Sequence, residues 1–501
     1  MELIMQECEL QYLDDTYSQQ INLEQTAELI VPDKCADGEA VVDAFGTFIL
    51  RDSSYEGEEL RISGTVQGGV LLLTQEGKLE RVEAQIPISV SRQIPSGGKT
   101  ESLHLCCRLT AVDGKLLNSR KVLLRASVTC AVRLYGQEQK ILHSIEAPGA
   151  ELQLKTAEYP VKLPVEQGSK TFTFSEEPEL PEMAAPIARL LKTMCCPRIL
   201  EQKTVGAKGV FKLEILLHIL YEDPEERLCS FEWKIPLSQY VDFPRDVERG
   251  DLHTLIHLTD LDLEPDSRVQ SRRLFLRLGL QAQCMVYAVR ELRVIEDAFC
   301  TDAMLQPKWQ QWQCQSLLDS RELSAEARWH TEEGIASVVD VWVQPMEAEL
   351  QHREDVMQIK LPLSCTMIYY DTQGQLRGKE IYMSGETELP LHAGATAQMG
   401  ELNCGQVYYN AGPAGAELRI PVQFRVNSFG TQAVRDLQEA CICELPLSME
   451  RRPSVILRRT EGEESLWDLA KSYNSTVEGI RMANDLDSDN IPADTLLLIP
   501  L

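Results

Sequence analysis

The dominant pattern along the chain is a period of two. Val82, Ala84, Ile86 and Ile88 alternate with Glu83, Gln85 and Pro87, and Val122, Leu124, Ala126, Val128 and Cys130 alternate with Leu123, Arg125, Ser127 and Thr129. Such alternation predicts half-buried strands. The turn formers Glu76-Gly77, Ser96-Gly97-Gly98 and Asp113-Gly114 fall between the runs and predict hairpin turns. A short helix is expected over Met183 to Leu191, after Leu180-Pro181. The period changes clearly only near the end, where Leu466, Leu469, Ala470 and Tyr473 follow the three-to-four spacing of an amphipathic helix, with Ser465 at the N-cap position. Val477, Ile480 and Met482 form a second such series. Val455 to Leu457 and Leu496 to Ile499 flank both, so this segment has the order strand, helix, helix, strand.

The chain also repeats itself. Val31-Pro32, Ile86-Pro87 and Leu103-His104 recur 149 residues on as Leu180-Pro181, Ile235-Pro236 and Leu252-His253, and Ser119-Arg120 recurs 152 residues on as Ser271-Arg272. A fainter third copy contains Met367 to Tyr370, echoing Ile219 to Tyr221; Leu389-Pro390-Leu391, echoing Ile235-Pro236-Leu237; and Leu418 to Val422, echoing the Arg-containing strand. It lacks the Ser-Arg pair. Arg120 and Arg272, kept between copies beside apolar strand residues, are expected to form ion pairs that hold the strand in its sheet. The fold class is therefore mainly β: three tandem antiparallel, sandwich-like repeats, followed by a small α+β unit of βααβ order.

Composition narrows the function. The 501 residues are 44% hydrophobic and 25% charged, as in globular domains, and the net charge of −28 disfavours nucleic acid and anionic membrane surfaces as partners. A basic protein surface suits better. Met1 to Gln20 is acidic, with no apolar core of a secretory signal, and no run approaches a membrane span, so a cytosolic protein without membrane insertion is expected. The fifteen cysteines include no Cys-x-x-Cys pair and are expected to be mainly core thiols. Gly98-Lys99-Thr100 ends like a phosphate-binding loop, but Gln93 stands at its first glycine and a strand follows it. His253 and His257 are four apart on an expected strand, roughly 13 Å, too far to share an ion. No catalytic residue, metal site or cofactor is assigned.

The carboxy-terminal residues carry a specific resemblance. Glu464-Ser465-Leu466-Trp467, the helix ending at Tyr473, Ala483-Asn484-Asp485-Leu486 and Leu497-Leu498-Ile499-Pro500 resemble the first turn, helix, second turn and closing strand of a LysM domain. The resemblance implies binding of N-acetylglucosamine polymers such as peptidoglycan or chitin in a shallow groove between the turns. The implied glycan- or partner-binding residues are Glu464, Ser465, Leu466, Asn484, Asp485, Leu486, Asp487 and Ile491. Glu463 and Ala493-Asp494 depart from the family pattern and add negative charge. Trp467 is expected in the core rather than as a sugar platform.

The repeats themselves look like SPOCS domains, which occur in tandem before a LysM domain in sporulation proteins of endospore-forming Firmicutes. The expected domains are SPOCS-like repeats at 20–157, 158–304 and a divergent 305–448, then LysM at 453–501, with Leu445 to Pro453 as an exposed linker. That architecture resembles spore coat morphogenesis proteins. It implies a noncatalytic scaffold in the mother-cell cytoplasm at the forespore surface, whose LysM domain binds a coat basement-layer ATPase. The alternative is a cell-wall-associated protein that binds peptidoglycan.

Overall fold

The computed structural model describes residues 5–95, 101–145, 151–247, 249–266, 271–391, 394–443, 454–460, 464–486, 488–491 and 494–501. It is mainly β, and every pairing between its strands is antiparallel. The first unit contains β1 (Gln6–Ile30), β2 (Gly38–Glu56), β3 (Glu59–Thr74), β4 (Leu79–Gln93), β5 (Glu101–Asn118) and β6 (Lys121–Ser144). Its two sheets, ordered β1-β6-β5 and β2-β3-β4, close on a shared apolar core that takes Val82, Ala84, Ile86 and Ile88 from one and Val122 to Cys130 from the other. The alternation seen in the sequence is thus the inward face of a sandwich.

The second unit repeats this plan with β7 (Leu152–Glu176), β8 (Arg189–Val205), β9 (Lys208–Glu222), β10 (Leu228–Asp242), β11 (Asp251–Pro265) and β12 (Leu274–Cys300) in sheets β7-β12-β11 and β8-β9-β10. The third contains β13 (Met304–Thr331), β14 (Ile335–Pro345), β15 (Glu349–Arg353), β16 (Val356–Asp371), β17 (Leu376–Pro390), β18 (Thr396–Cys404), β19 (Tyr408–Gly412) and β20 (Gly415–Cys443). Here β13-β20-β18, with β19 also on β20, faces β14-β16-β15, with β17 also on β16. The outer strands begin at Gln6, Leu152 and Met304, so the first two start ahead of the boundaries that self-comparison places at 20 and 158.

Three local expectations are corrected. Met183 to Leu191 is not a helix: Pro186 has no N–H to give, and the Ala184, Ile187 and Ala188 amides donate to Pro181, Ser271 and Glu222 carbonyls instead. Asp113-Gly114 is not a turn but lies within β5, opposite Arg125 and Leu124. A Cβ on Gly114 would stand 3.1–3.3 Å from Val70, Ala44 and Val41 of the facing sheet, which explains a glycine inside a strand. Leu389-Pro390-Leu391 does not match Ile235 to Leu237. The Leu391 amide donates to Asp355 as the Phe243 amide donates to Ala207, so its counterpart is Val241 to Phe243.

The duplicated arginines differ from each other: Arg120 makes the expected ion pairs, to Asp33 at 3.1 Å and Asp37 at 3.4 Å, whereas Arg272 is held by a main-chain oxygen. Arg120 donates to the Cys35 and Pro32 carbonyls at 2.7 and 3.2 Å as well as to Asp33 at 3.1 Å, and Arg272 Nε donates to the Ala184 carbonyl at 2.8 Å. Each also clamps the loop after its Val-Pro or Leu-Pro pair through main-chain oxygens. A guanidinium fork suits that task better than a single ion pair.

The three units meet around one axis. Asp43 on β2, Lys192 on β8 and Asp340 on β14 recur at spacings of 149 and 148 residues, and they touch: Lys192 Nζ lies 2.6 Å from Asp43 Oδ2 and 3.4 Å from Asp340 Oδ2. His218 Nε2 lies 2.6 Å from Asp340 Oδ1. All are buried, the Lys192 side chain at 1% exposure. Burial alone would lower the Lys192 pKa, but the two carboxylates raise it; burial would raise Asp340, yet Lys192 and His218 hold it at about 2. Further along the axis Tyr135, Tyr287 and Phe429 share one cluster, and Leu10, Val161 and Trp312 another.

Beside that axis the first two units meet at a seam of neutral histidines. His257 Nε2 accepts from the Cys107 amide at 3.3 Å, Gln283 Oε1 accepts from the Leu105 amide at 2.9 Å, and His253 Nδ1 lies 3.2 Å from Asn427 Nδ2 of the third unit. Burial, reinforced by Arg133 and the other two histidines, pushes His104 down to about 3. Burial also pushes His253 and His257 down to about 4, with Arg425 acting on the former and Arg108 on the latter. All fifteen cysteines are free thiols.

Two outcomes are expected. Lys192→Met leaves Asp43 buried without a counter-ion and Asp340 with His218 alone, and should lower unfolding free energy in denaturant titrations by about 3–5 kcal/mol. Replacing all three with apolar residues of similar volume should recover most of that loss. The histidines, whose pKa values are depressed on folding, contribute stability fully only above the unfolded value of about 6.5 and lose it as pH falls toward about 4. His257→Asn should therefore reduce the fall in denaturation midpoint between pH 7 and pH 4.5.

Candidate functional site

The final unit is built from β21 (Val455–Arg459), β22 (Glu464–Ser465), α1 (Leu466–Tyr473), α2 (Val477–Ala483), β23 (Asn490–Ile491) and β24 (Leu496–Pro500). The expected order of strand, helix, helix, strand is present, with the short β22-β23 ladder added. Ser465 caps α1, its Oγ accepting from the Asp468 amide at 3.1 Å, and Thr476 caps α2, accepting from Gly479 at 3.0 Å. α1 ends at Asn474 in the left-handed region, φ 52°. Leu466, Leu469, Ala470, Ile480, Ile491, Leu497 and Ile499 make the core.

The first expected turn pairs with the segment that follows the second. Glu464 pairs with Ile491 and Ser465 with Asn490, and the Leu466 amide donates to the Asp489 carbonyl at 2.8 Å. The side chains divide into three groups. Leu466 and Ile491, at 0% and 2% exposure, cannot reach a ligand, so their place in the binding set is corrected: they are core residues that back the turns. Asn484 is committed as a brace, with Oδ1 accepting from the Leu498 amide at 2.7 Å and Nδ2 donating to the Leu498 and Ile480 carbonyls at 2.7 and 2.8 Å. The Ser465 hydroxyl is likewise occupied, donating to Asp468 Oδ2 at 2.6 Å.

Asp485, in the left-handed region at φ 50°, is exposed, and Leu486 is half-buried against the core. Glu464 Oε1 accepts from Arg458 at 2.7 Å, while its Oε2 is shielded and has no partner among the described residues. Asp487, the rest of the expected set, lies outside the described residues, as do Glu463, Ala493 and the expected linker Leu445 to Pro453. Each basic side chain of the described unit is paired: Arg458 with Glu464, Arg459 with Asp494, Lys471 with Asp297, Arg481 with Glu478 and Asp489. Asp485 has no ion-pair partner among the described residues. The turns therefore present net negative charge.

Sequence reasoning missed where this unit docks. Asp297 and Phe299 near the end of β12 receive α1: Trp467 Nε1 and Lys471 Nζ donate to Asp297 at 2.8 and 2.7 Å, and the Trp467 ring meets Phe299 edge-on at 5.0 Å between centroids. A register shift between Ile295 and Asp297 marks a bulge there. Burial would raise the Asp297 pKa, but Lys471 and Trp467 hold it down. The partners are 170 or more residues apart, and only the i, i+4 pair Trp467/Lys471 on one helix face hints at the contact.

Residues 461–500 match the family model of the LysM domain, a carbohydrate-binding type of module that takes N-acetylglucosamine-containing glycans. No curated protein and no solved structure matches the chain. Among the described residues no helix is long and apolar enough to cross a membrane, and no group of three or more His, Cys, Asp or Glu is placed to hold a metal ion.

Removing the docking carboxylate tests the arrangement. Asp297→Ala should cost about 1–3 kcal/mol of docking energy, because it strips a charged acceptor from two donors. The expected readouts are a red-shifted tryptophan emission and faster amide exchange in α1, with the β units unchanged.

Proposed function

We propose that the chain is a noncatalytic assembly scaffold in which three β units hold one LysM module against a protein partner with a basic face. The observation that carries this reading is the use of the module's aromatic rings. Trp467 is engaged by Asp297 and Phe299, and Tyr473 lies under Arg458, 5.6 Å from its centroid, with its hydroxyl accepting at 3.0 Å. No other aromatic residue occurs from 454 to 501, so stacking on a sugar face has no free ring. Asp485, exposed and without an ion-pair partner among the described residues, suits a basic protein surface, where it would add attraction and association rate.

The partner that fits the SPOCS-like and LysM-like architecture is a basement-layer ATPase of the spore coat, met in the mother-cell cytoplasm at the forespore surface. The boundaries 20–157, 158–304, 305–448 and 453–501 belong to the same proposal. A second reading, binding of peptidoglycan or another N-acetylglucosamine glycan through the same turns, has the LysM match itself in its favour.

Calorimetry separates the two. Binding to chitohexaose should be weak or undetectable, whereas binding to the coat protein should weaken steeply between 50 and 500 mM salt and fall at least about tenfold in Asp485→Lys. Tight, salt-insensitive binding to the sugar would select the second reading.

A further inference from the structure

Two thiols meet across an edge of the first unit. Cys107 on β5 and Cys130 on β6 are directly opposite in the ladder, and their Sγ atoms lie 2.7 Å apart, sharing a hydrogen bond. Both are free thiols. The backbone around them suits a bond. The Cys107 amide donates outward to His257 Nε2 of the second unit at 3.3 Å, as the Leu105 amide two residues earlier donates to Gln283 Oε1. Both N–H groups therefore point away from β6, which makes Cys107 and Cys130 a non-hydrogen-bonded cross-strand pair. Such pairs bring Cα atoms to about 4.5 Å with both side chains on one face, inside the range of roughly 4.4–6.8 Å that disulfides span.

The two thiols differ in access. Cys130 is wholly buried in the core of the sandwich, while Cys107 is half-buried at the margin of that core. Cys107 is thus the sulfur that a small reagent meets first, and Cys130 is the one placed to resolve it. The adjacent Cys106 belongs to the other face of β5, opposite Ala131, and has no thiol across from it.

We propose that Cys107 and Cys130 form a dithiol modification site, which hydrogen peroxide converts to a cross-strand disulfide. Cys107, as thiolate, attacks one peroxide oxygen; the O–O bond breaks, and the leaving hydroxide takes up the proton that the thiol released. The Cys130 sulfur then attacks the sulfur of the Cys107 sulfenic acid, the S–O bond breaks, and the departing hydroxide takes the Cys130 proton. Two thiols lose two electrons and two protons, and one peroxide becomes two waters. The hydrogen bond shared with Cys130, and then burial, hold the Cys107 thiol well above its ordinary pKa. The first step is therefore slow, which suits a lasting cross-link rather than a rapid sensor. A reducing compartment keeps the pair as a dithiol. The bond would tie the edge strand β5, whose amides hold the second unit, to the centre of its own sheet. It does not depend on what the LysM turns bind.

The test uses the full chain, reduced, held with hydrogen peroxide for a day, then blocked at its remaining thiols, digested with trypsin and mapped by mass spectrometry. Cys106 and Cys107 share the peptide between Lys99 and Arg108, so Cys106→Ser leaves one thiol there and identifies the bond. In the wild type and in Cys106→Ser that peptide should appear joined to the one holding Cys130, about 2 Da below the sum of the reduced peptides. Oxidation should also raise the melting temperature by roughly 5 °C. Cys107→Ser should lose both the joined peptide and the rise, and should that variant misfold, the Cys106→Ser map alone decides. The proposal fails if no joined peptide forms while the exposed Cys8 is oxidised, if Cys106→Ser removes it, or if the joined form melts no higher than the reduced one.

Discussion

One buried ammonium holds this molecule's three units in register. Lys192 sits between Asp43 and Asp340, with His218 closing the circle. Moving each of these groups out of water costs several kcal/mol, and the cost is offset only when the three strands β2, β8 and β14 arrive together. Any slip of one unit leaves a charge unpaired in the interior. Apolar packing could supply as much stability, but it would discriminate far less between the intended junction and its neighbours. The aromatic trio of Tyr135, Tyr287 and Phe429 then fills the same axis without directional demand.

From that axis the rest follows in order. The long pairs β1-β6, β7-β12 and β13-β20 extend past the sandwiches and pack on one another through Leu10, Val161, Leu163, Val294 and Trp312. The far end of β12 carries Asp297 and Phe299, which receive the LysM helix. The helix face used for docking is the one bearing Trp467, so packing onto the body and stacking on a ligand compete for the same ring. Docking has it in this structure.

Much of this was legible in the residues. Period-two alternation located the sandwich faces because each strand buries one face. The final unit was legible to its caps, because Ser465 and the spacing of Leu466, Leu469, Ala470 and Tyr473 act within a single helix. What escaped was set by partners far along the chain. Asp113-Gly114 resembles a turn until Val41, Ala44 and Val70 are known to press on it. The Met183 segment was expected to be a helix but gives its amides to the Pro181, Ser271 and Glu222 carbonyls. In the candidate site, Leu466, Asn484 and Ile491 carry the family pattern because they build the turns, and a motif does not distinguish residues that shape a surface from those that form it. Asp297 had no local signal at all. The Asp43, Lys192 and Asp340 spacing was present in the numbers of the repeat, but two carboxylates and an amine do not look like copies of one position.

That mismatch has a structural meaning. Three separate identical subunits around an axis would place three identical side chains at its centre, and three lysines or three aspartates there would repel. Joining the units in one chain frees each position to differ, and the charges became complementary. The same freedom fixes valency. A symmetric trimer of LysM-bearing subunits would display three such modules; in this chain the three β units carry a single LysM match, at residues 461–500.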